Sequence, residues 1–311
     1  MDVLSLVTNQ HAPFFRQQLD SLAREGVESR TVAVSGSRTV TDTDARGRSS
    51  FDYVRFYGRV LRASAESIDL VHANYGLTAP MALAQPRRPV VLSFWGSDLS
   101  GRVGQLSRQC ARRADAVIVM SEQMAGMLPV DAHVIPHGVD LSVFRPASQR
   151  MAREAVGWRH EQKHVLFPYA KQRPVKNYPR AAAVVKAVER ELGEPVPLQT
   201  LHGVDHERMP DYMNAADALL VTSHHEGSPN AVKEALACNL PVVSTAVGDV
   251  AERLDGVNPS FVCETDEALQ AGLLAVLGRG ERSNGRQAVE PLGIDRMGKR
   301  LRTVYDSVLS R

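Results

Sequence analysis

Lysine is nearly absent from this chain of 311 residues: there are six, and none precedes Lys163. Positive charge is therefore carried by arginine, a bias of composition rather than evidence of a binding surface. The formal net charge of +2 is too small to imply a nucleic-acid partner. Cysteine is scarce as well. Cys110, Cys238 and Cys263 form an odd set without metal-type spacing, which is a poor disulfide framework and fits a reducing compartment. No apolar run approaches the roughly 20 residues that span a bilayer. The opening MDVLSLVTNQ lacks the basic region and long apolar stretch of a signal peptide. The expected location is the cytosol, at most peripheral to the inner face of a membrane.

Several nucleotide-handling motifs are missing too. There is no G-x-x-x-x-G-K-[ST], which argues against a phosphate-loop ATPase. No G-x-G-x-x-G follows the first apolar run, which argues against a dehydrogenase. Asp42-Thr43-Asp44 has the D-x-D form that holds metals in some transferases, but it lies in a polar stretch away from any strand end. His202, His206, His224 and His225 have no acidic or cysteine partner at a recognised zinc spacing, so no metal is expected.

What is present is an ordinary globular composition, 43% hydrophobic and 23% charged. The length is about twice that of a usual domain. Short apolar runs at 3–8, 27–34, 69–73, 89–94, 114–120 and 132–136 read as strands, with helical patterns at 14–25, 53–66, 77–84 and 103–113 between them. The second half alternates in the same way, with strands at 163–169, 196–201, 216–222 and 240–245 and a helix at 177–192. Residues 294–310 read as an amphipathic helix with Met297, Leu301, Val304, Tyr305 and Val308 on one face. Such alternation predicts parallel sheets covered by helices. Two doubly wound α/β domains are expected, with the break in the polar stretch 144–161 that carries Pro146. In open sheets of this kind ligands bind beyond the carboxyl ends of the strands, and between two such domains the expected site is a cleft.

The loop after the 216–222 strand reads TSHHEGSPNAVKEALACNLPVVSTAVGD. Glu226 and Glu234 are eight residues apart, the first on the loop and the second on a following helix. Ser228 or Asn230 is available as the helix N-cap, with Pro229 tolerated in the first turn. Backbone N–H groups at the start of that helix favour an anion, and carboxylates accept hydrogen bonds from vicinal hydroxyls. Taken alone, the pair reads as a capped helix with two surface glutamates.

In this context the segment resembles the E-x7-E signature of the family 4 retaining glycosyltransferases, which have the GT-B fold. LFPYAKQRPVKNYPRA at 166–181 is similar to the family's basic diphosphate loop. VIPHGVDLSVF at 134–144, MNAADALLVTS at 213–223, DLVHANYG at 69–76 and VVLSFWGSDLSG at 91–102 are similar to further family segments. The resemblance covers nearly the whole chain, and its phrasing is nearest bacterial teichuronic-acid-type transferases of cell-surface polysaccharide synthesis. It implies two Rossmann-like domains: 1–147, on the acceptor side and joined by the returning helix 294–311, and 148–293, which binds the nucleotide sugar. It implies Glu226 on the transferred sugar, Glu234 on the ribose of a UDP- or GDP-sugar, and Lys176, Lys171 and Arg173 on the diphosphate. The backbone around Gly227, Ser228, Pro229 and Asn230 is then turned to sugar and phosphate. It also implies retention of configuration by a front-face route, in which the leaving phosphate takes the acceptor proton and no metal is required.

The chain departs from the family pattern at three places. Lys171 stands where relatives carry arginine. Trp95-Gly96-Ser97-Asp98 stands where many carry H-G-x-D, so Trp95 either stacks on an acceptor sugar or packs, and Asp98 either orients an acceptor hydroxyl or caps a helix. The loop Thr8 to Pro13, with Asn9 in it, lacks the usual glycines, which leaves the acceptor edge more open or ordered only on binding. His72 and His137 fall at strand ends, as ligand contacts or as structural residues. Arg102, Arg108, Arg112 and Arg113 on one predicted helix suit either an anionic lipid surface or a solvated face. Two other readings stay open: a non-catalytic nucleotide-sugar- or glycan-binding partner, and a nucleotide-sugar epimerase.

Overall fold

The computed structural model describes residues 1–36, 48–86 and 88–311, so most of the expected polar loop at 35–50, with Asp42-Thr43-Asp44, lies outside the described residues. The chain divides into two compact units, Met1–Gly138 with Ile294–Arg311, and Val139–Gly293. The first unit therefore ends before the expected residue 147. The cause is packing: Val139 and Phe144 are buried in the core of the second unit, and Val139 bridges to Gly293 there.

In unit 1 the order is β1 (Asp2–Val7), α1 (Pro13–Arg24), β2 (Glu28–Ala33), α2 (Ser50–Ser64), β3 (Leu70–Asn74), α3 (Ala79–Leu83), β4 (Val90–Ser93), α4 (Gly101–Ala111), β5 (Ala116–Val119), α5 (Glu122–Ala125) and β6 (His133–Val134). The six strands form one parallel sheet ordered β2-β1-β3-β4-β5-β6. Strands β3, β4 and β5 are buried on both faces, which is why they read as unbroken apolar runs rather than alternating ones. Arg112 and Arg113 fall beyond the end of α4, so the four arginines do not share one helix.

Unit 2 contains α6 (Gln149–Val156), β7 (Val165–Phe167), α7 (Tyr178–Leu192), β8 (Leu198–Thr200), α8 (Met209–Ala215), β9 (Ala218–Val221), α9 (Asn230–Ala237), β10 (Val242–Thr245), α10 (Val250–Leu254), β11 (Phe261–Cys263), α11 (Asp266–Arg279) and α12 (Gly285–Val289). Its five parallel strands are ordered β11-β10-β9-β7-β8. The stretch expected to be a polar break holds α6, capped by Ser148 and stopped at Gly157 in the left-handed region. Its charge hid it. Arg153 is buried and ion-paired to Asp217 at 2.6 Å, so a residue that reads as solvated anchors the helix.

The last helix, α13 (Ile294–Leu309), belongs to unit 1 and packs on α1. Met297, Leu301, Val304, Tyr305 and Val308 are buried, the face its periodicity predicts. Each such side chain contributes about 1.5–3 kcal/mol on burial. Gly298 permits the contact, because a Cβ there would stand 2.6 Å from the Ser21 carbonyl oxygen. Among the described residues no helix is long and apolar enough to cross a membrane.

Candidate active site

In unit 2 the connection from β7 leads outward to β8, while β9 lies on the other side of β7. The sheet order thus reverses between β7 and β9, and a crevice opens where their carboxyl ends diverge. The loops after these two strands carry the basic segment and the Glu226 loop. Backbone and side-chain bonds lash them together. His224 N–H donates to the Val175 carbonyl at 2.9 Å, and Thr222 Oγ1 donates to the carbonyls of Lys176 and Asn177 at 3.1 and 3.0 Å.

At their junction Lys176 pairs with Glu226, both largely buried, and Ser223 Oγ donates to the same carboxylate oxygen at 2.7 Å. Lys176 Nζ also lies 4.0 Å from the centroid of the Tyr169 ring, with the Arg173 guanidinium 5.9 Å from it. Burial lowers the Lys176 pKa, while Glu226 holds it up. Tyr169 is pushed well above its ordinary range by burial, then by Glu226 and Glu234. Sequence reasoning missed Tyr169; the signal available was an aromatic residue two positions past a strand end in a loop of cations. Lys171 is placed apart from this pair: it is exposed, with Nζ 4.9 Å over the Tyr178 ring.

Glu234 sits in the second turn of α9. Burial raises its pKa, opposed by His206, whose Nε2 lies 3.6 Å away, and by Lys233. His206, weighed from sequence for a metal cluster, therefore serves this carboxylate. Among the described residues no three His, Cys, Asp or Glu side chains are arranged to hold a metal ion. The expected N-cap is corrected. Pro229 takes that position and no side chain caps α9, because Ser228 Oγ donates instead to Asp249 Oδ2 at 2.8 Å. Val232 N–H bonds to the Pro229 carbonyl at 3.1 Å, and the N–H groups that precede it in α9 stand where a helix start favours an anion. Asp249 is fully buried and also accepts from Arg253 Nε at 2.9 Å.

Lys233 lies buried in the same region, its pKa pushed down to about 8 by burial, against the pull of Asp249 and Glu234. The cost of burying the charge is fully present at neutral pH, where folded and unfolded chains both hold the proton. As pH rises from about 8 to 10.5 the folded state releases it first, so stability recovers relative to the Lys233→Met variant. The expected recovery is about 3 kcal/mol, read by urea denaturation of both proteins across that window.

In unit 1 the expected acceptor contacts separate. His72 is not at a surface. It is fully buried in β3, with Nδ1 2.7 Å from Tyr305 Oη and Nε2 2.7 Å from Ser93 Oγ, so it ties α13 to the sheet. Asp98 is also fully buried; it accepts from the backbone N–H groups of Trp95, Gly96 and Gly76 at 2.8–3.1 Å, which fixes two loops and leaves it no role on an acceptor hydroxyl. Trp95 packs edge-on to Phe14 at 4.9 Å, and buried His137 lies 4.5 Å from Phe14, so both belong to an aromatic wedge. The glycine-poor loop is tethered rather than loose. Asn9 Oδ1 accepts from His11 N–H at 3.0 Å, and Arg48 donates to the Thr8 carbonyl. Asn9 is exposed and lines a cavity.

Burial lowers the His72 pKa to about 3. Its contribution to stability is complete above the unfolded value of 6.5 and is lost as pH falls toward 3. At about pH 4.5 wild type is expected to have lost about 3 kcal/mol relative to His72→Gln, compared with the same pair at pH 7. Denaturant midpoints at the two pH values check this.

The sequence comparisons follow the same division. Residues 11–143 match the model of Glycosyltransferase Family 4, and residues 177–279 match that of Glycosyl transferases group 1. Both matched families are families of glycosyltransferases. The chain is 29% identical to the D-inositol 3-phosphate glycosyltransferase of Mycobacterium marinum over 266 aligned residues, covering 68% of this chain and 56% of that protein. The same-named protein of Mycobacterium tuberculosis is 29% identical over 263 residues, covering 67% and 54%. The chain thus spans about half the length of the curated relatives it matches. Sucrose-phosphate synthase from Thermosynechococcus elongatus has the same fold, with a TM-score of 0.78 at 16% identity over 100% of both chains. HepE from Anabaena, solved with UDP, has a TM-score of 0.74 at 14% identity, covering 99% of this chain and 100% of that one. The fold is GT-B.

Proposed function

We propose that the protein is a retaining glycosyltransferase that moves a sugar from a nucleoside-diphosphate sugar to a hydroxyl of a glycan, lipid-linked or small-molecule acceptor without a metal. The observation that carries this is the switch point of unit 2, which assembles Lys176, Glu226, Glu234 and the uncapped start of α9. Glu234, held by His206, accepts from the ribose hydroxyls. Lys176, Arg173 and the α9 N–H groups hold the diphosphate, with Lys171 at the outer edge of the same loop. Glu226, aligned by Ser223, orients the sugar, and the backbone of Gly227 to Asn230 lies along it.

In the reaction the bond from the anomeric carbon to the diphosphate oxygen breaks. Negative charge grows on the departing phosphate, where fixed cations stabilise the transition state more than the ground state. The acceptor oxygen bonds to the same face of the anomeric carbon, and its proton passes to the leaving phosphate. No side chain has to act as base, so Trp95 in place of the family histidine is compatible with turnover. HepE is described in complex with UDP and with UDP-glucose, which supports a UDP-sugar as the first donor to try. The phrasing of the family-like segments across the chain supports a bacterial cell-surface polysaccharide as the product class, and the odd set of three cysteines supports a cytoplasmic site of action, at most peripheral to the membrane.

The test is incubation of the full chain with radiolabelled UDP- and GDP-sugars, with EDTA present, and chromatography of the products. Transfer to an acceptor, with slow release of free sugar in its absence and the anomeric configuration kept, is the expected result. Interconversion of free nucleotide sugars, or binding without turnover on any acceptor, would overturn it.

A further inference from the structure

Three aromatic rings stand at the basic loop of unit 2. Tyr169 follows β7 by two residues, and its N–H closes back on the Phe167 carbonyl at 2.8 Å. That tight turn sets the Tyr169 ring edge-on to Phe167, with centroids 5.3 Å apart and planes at 85°. Phe167 is buried at the end of its strand and meets Tyr178, the first residue of α7, edge-on in turn at 5.7 Å and 71°. Aromatic pairs prefer this arrangement, in which the positive edge of one ring meets the negative face of another. The three rings form a ladder whose middle rung is fixed in the sheet.

The cations of the loop are spread along this ladder. Lys176 Nζ stands 4.0 Å from the Tyr169 centroid and the Arg173 guanidinium 5.9 Å from it, while Lys171 Nζ stands 4.9 Å from that of Tyr178. All three lie within the roughly 6 Å at which a ring face attracts a cation. Lys176 also has Glu226, but among the described residues neither Lys171 nor Arg173 forms an ion pair. The difference matters where a diphosphate is to bind. A carboxylate neutralises a cation and repels an anionic ligand, whereas a ring face orients the cation and has no net charge.

Lys176 depends most on such help. It is buried, which disfavours the ammonium form, and Arg173 adds repulsion. The charged and titratable groups that face it are Glu226, from the loop after β9, and Tyr169 and Arg173, from its own loop. Glu226 is shared, since Ser223 Oγ donates to the same carboxylate oxygen. Tyr169 keeps its own hydroxyl proton, because burial and then Glu226 and Glu234 oppose ionisation.

We propose that Tyr169 is a positioning residue for the diphosphate: its ring face holds the Lys176 ammonium in place as a cation and, with Tyr178, spaces the cations of the loop without neutralising them. The proposal rests on the donor-site reading and adds to it a residue that acts through Lys176.

With only six lysines in the chain, the charge on Lys176 is directly readable. Full-length protein carrying lysine isotopically labelled at Cε is titrated by NMR, and the Lys176 signal is assigned by its loss in Lys176→Met. Tyr169→Phe is the reference. The same position is then filled with mono-, di- and trifluorinated phenylalanine, which weaken the ring face while keeping its shape. A weaker face favours the neutral amine, so the proton leaves at lower pH. The Lys176 midpoint is expected to fall in that order, by about one pH unit at the trifluorinated ring. UDP affinity, measured calorimetrically at the pH where Lys176 of Tyr169→Phe is half-charged, is expected to fall in the same order, by about fivefold in all. A midpoint independent of fluorination, or a lowered midpoint with unchanged UDP affinity, overturns the proposal. Failure of the wild type to bind UDP overturns the donor site instead, and the midpoints alone then decide whether the ring holds the charge.

Discussion

Lys176→Met is expected to lower kcat for sugar transfer by roughly a hundred- to a thousandfold, the scale on which one preorganised stabiliser of a developing oxyanion acts. Stability must be separated from chemistry, because the lysine is buried against Glu226 and removing it strands a carboxylate in a site that is 13% exposed. Breaking such a pair from one side costs about 3–5 kcal/mol. The double variant Lys176→Met with Glu226→Gln removes both charges and is expected to recover most of the lost melting temperature. Activity is expected to stay at the level of the single variant or below. If the double variant recovered activity along with stability, Lys176 would be a structural cation and not a ligand of the leaving phosphate. Steady-state kinetics and thermal unfolding on the four corners of this cycle supply both readings.

Gly248→Ala is the second large expected effect, and it acts through backbone alone. Gly248 has φ 57°, and a Cβ added there would stand 2.6 Å from the Gly227 carbonyl oxygen and 3.2 Å from that of Glu226. The left-handed conformation costs a residue with a Cβ about 1–2 kcal/mol. The clash is with main chain, so the Glu226 to Pro229 loop has to move. The neighbouring Asp249 bond to Ser228 pulls on the same loop. Displacing reacting groups by about 1 Å costs on the order of a hundredfold in rate. The expected outcome is a fall in kcat and a rise in the donor KM together, with a loss of about 2 kcal/mol or more in denaturant unfolding. A variant with wild-type kinetics would mean that the β10–α10 turn does not support the donor loop.

Much of this site is legible in the amino-acid sequence because its chemistry is local. Glu226 and Glu234 lie on one loop and one helix, and Lys176 precedes a helix start, so short continuous segments carry the family resemblance that singles them out. The parallel sheets are legible because strands buried on both faces leave unbroken apolar runs. What stays hidden depends on partners distant in sequence. Ser228 reads as a helix cap until Asp249, 21 residues on, takes its hydroxyl. His72 and Asp98 read as strand-end ligands, yet Tyr305, Ser93 and three backbone N–H groups absorb them. Arg153 makes α6 look like a linker, since a charged residue signals solvent unless its partner Asp217 is known. Strand β11 has only Phe261, Val262 and Cys263 between Ser260 and Glu264, with Val262 exposed at the sheet edge, so no longer apolar run marks it as one marks β7.

The proposed function has unit 2 bind a nucleoside diphosphate where its sheet order reverses. Calorimetric titration of UDP into wild type and Glu234→Ala tests this most directly. Two hydrogen bonds from ribose hydroxyls to a carboxylate, each contributing about 1.5–3 kcal/mol, imply a loss of affinity of roughly a hundredfold or more. That loss, with the melting temperature of the free protein held within a few degrees, is the expected result. Unchanged UDP affinity in Glu234→Ala, or no UDP binding by wild type, would contradict the assignment of the site.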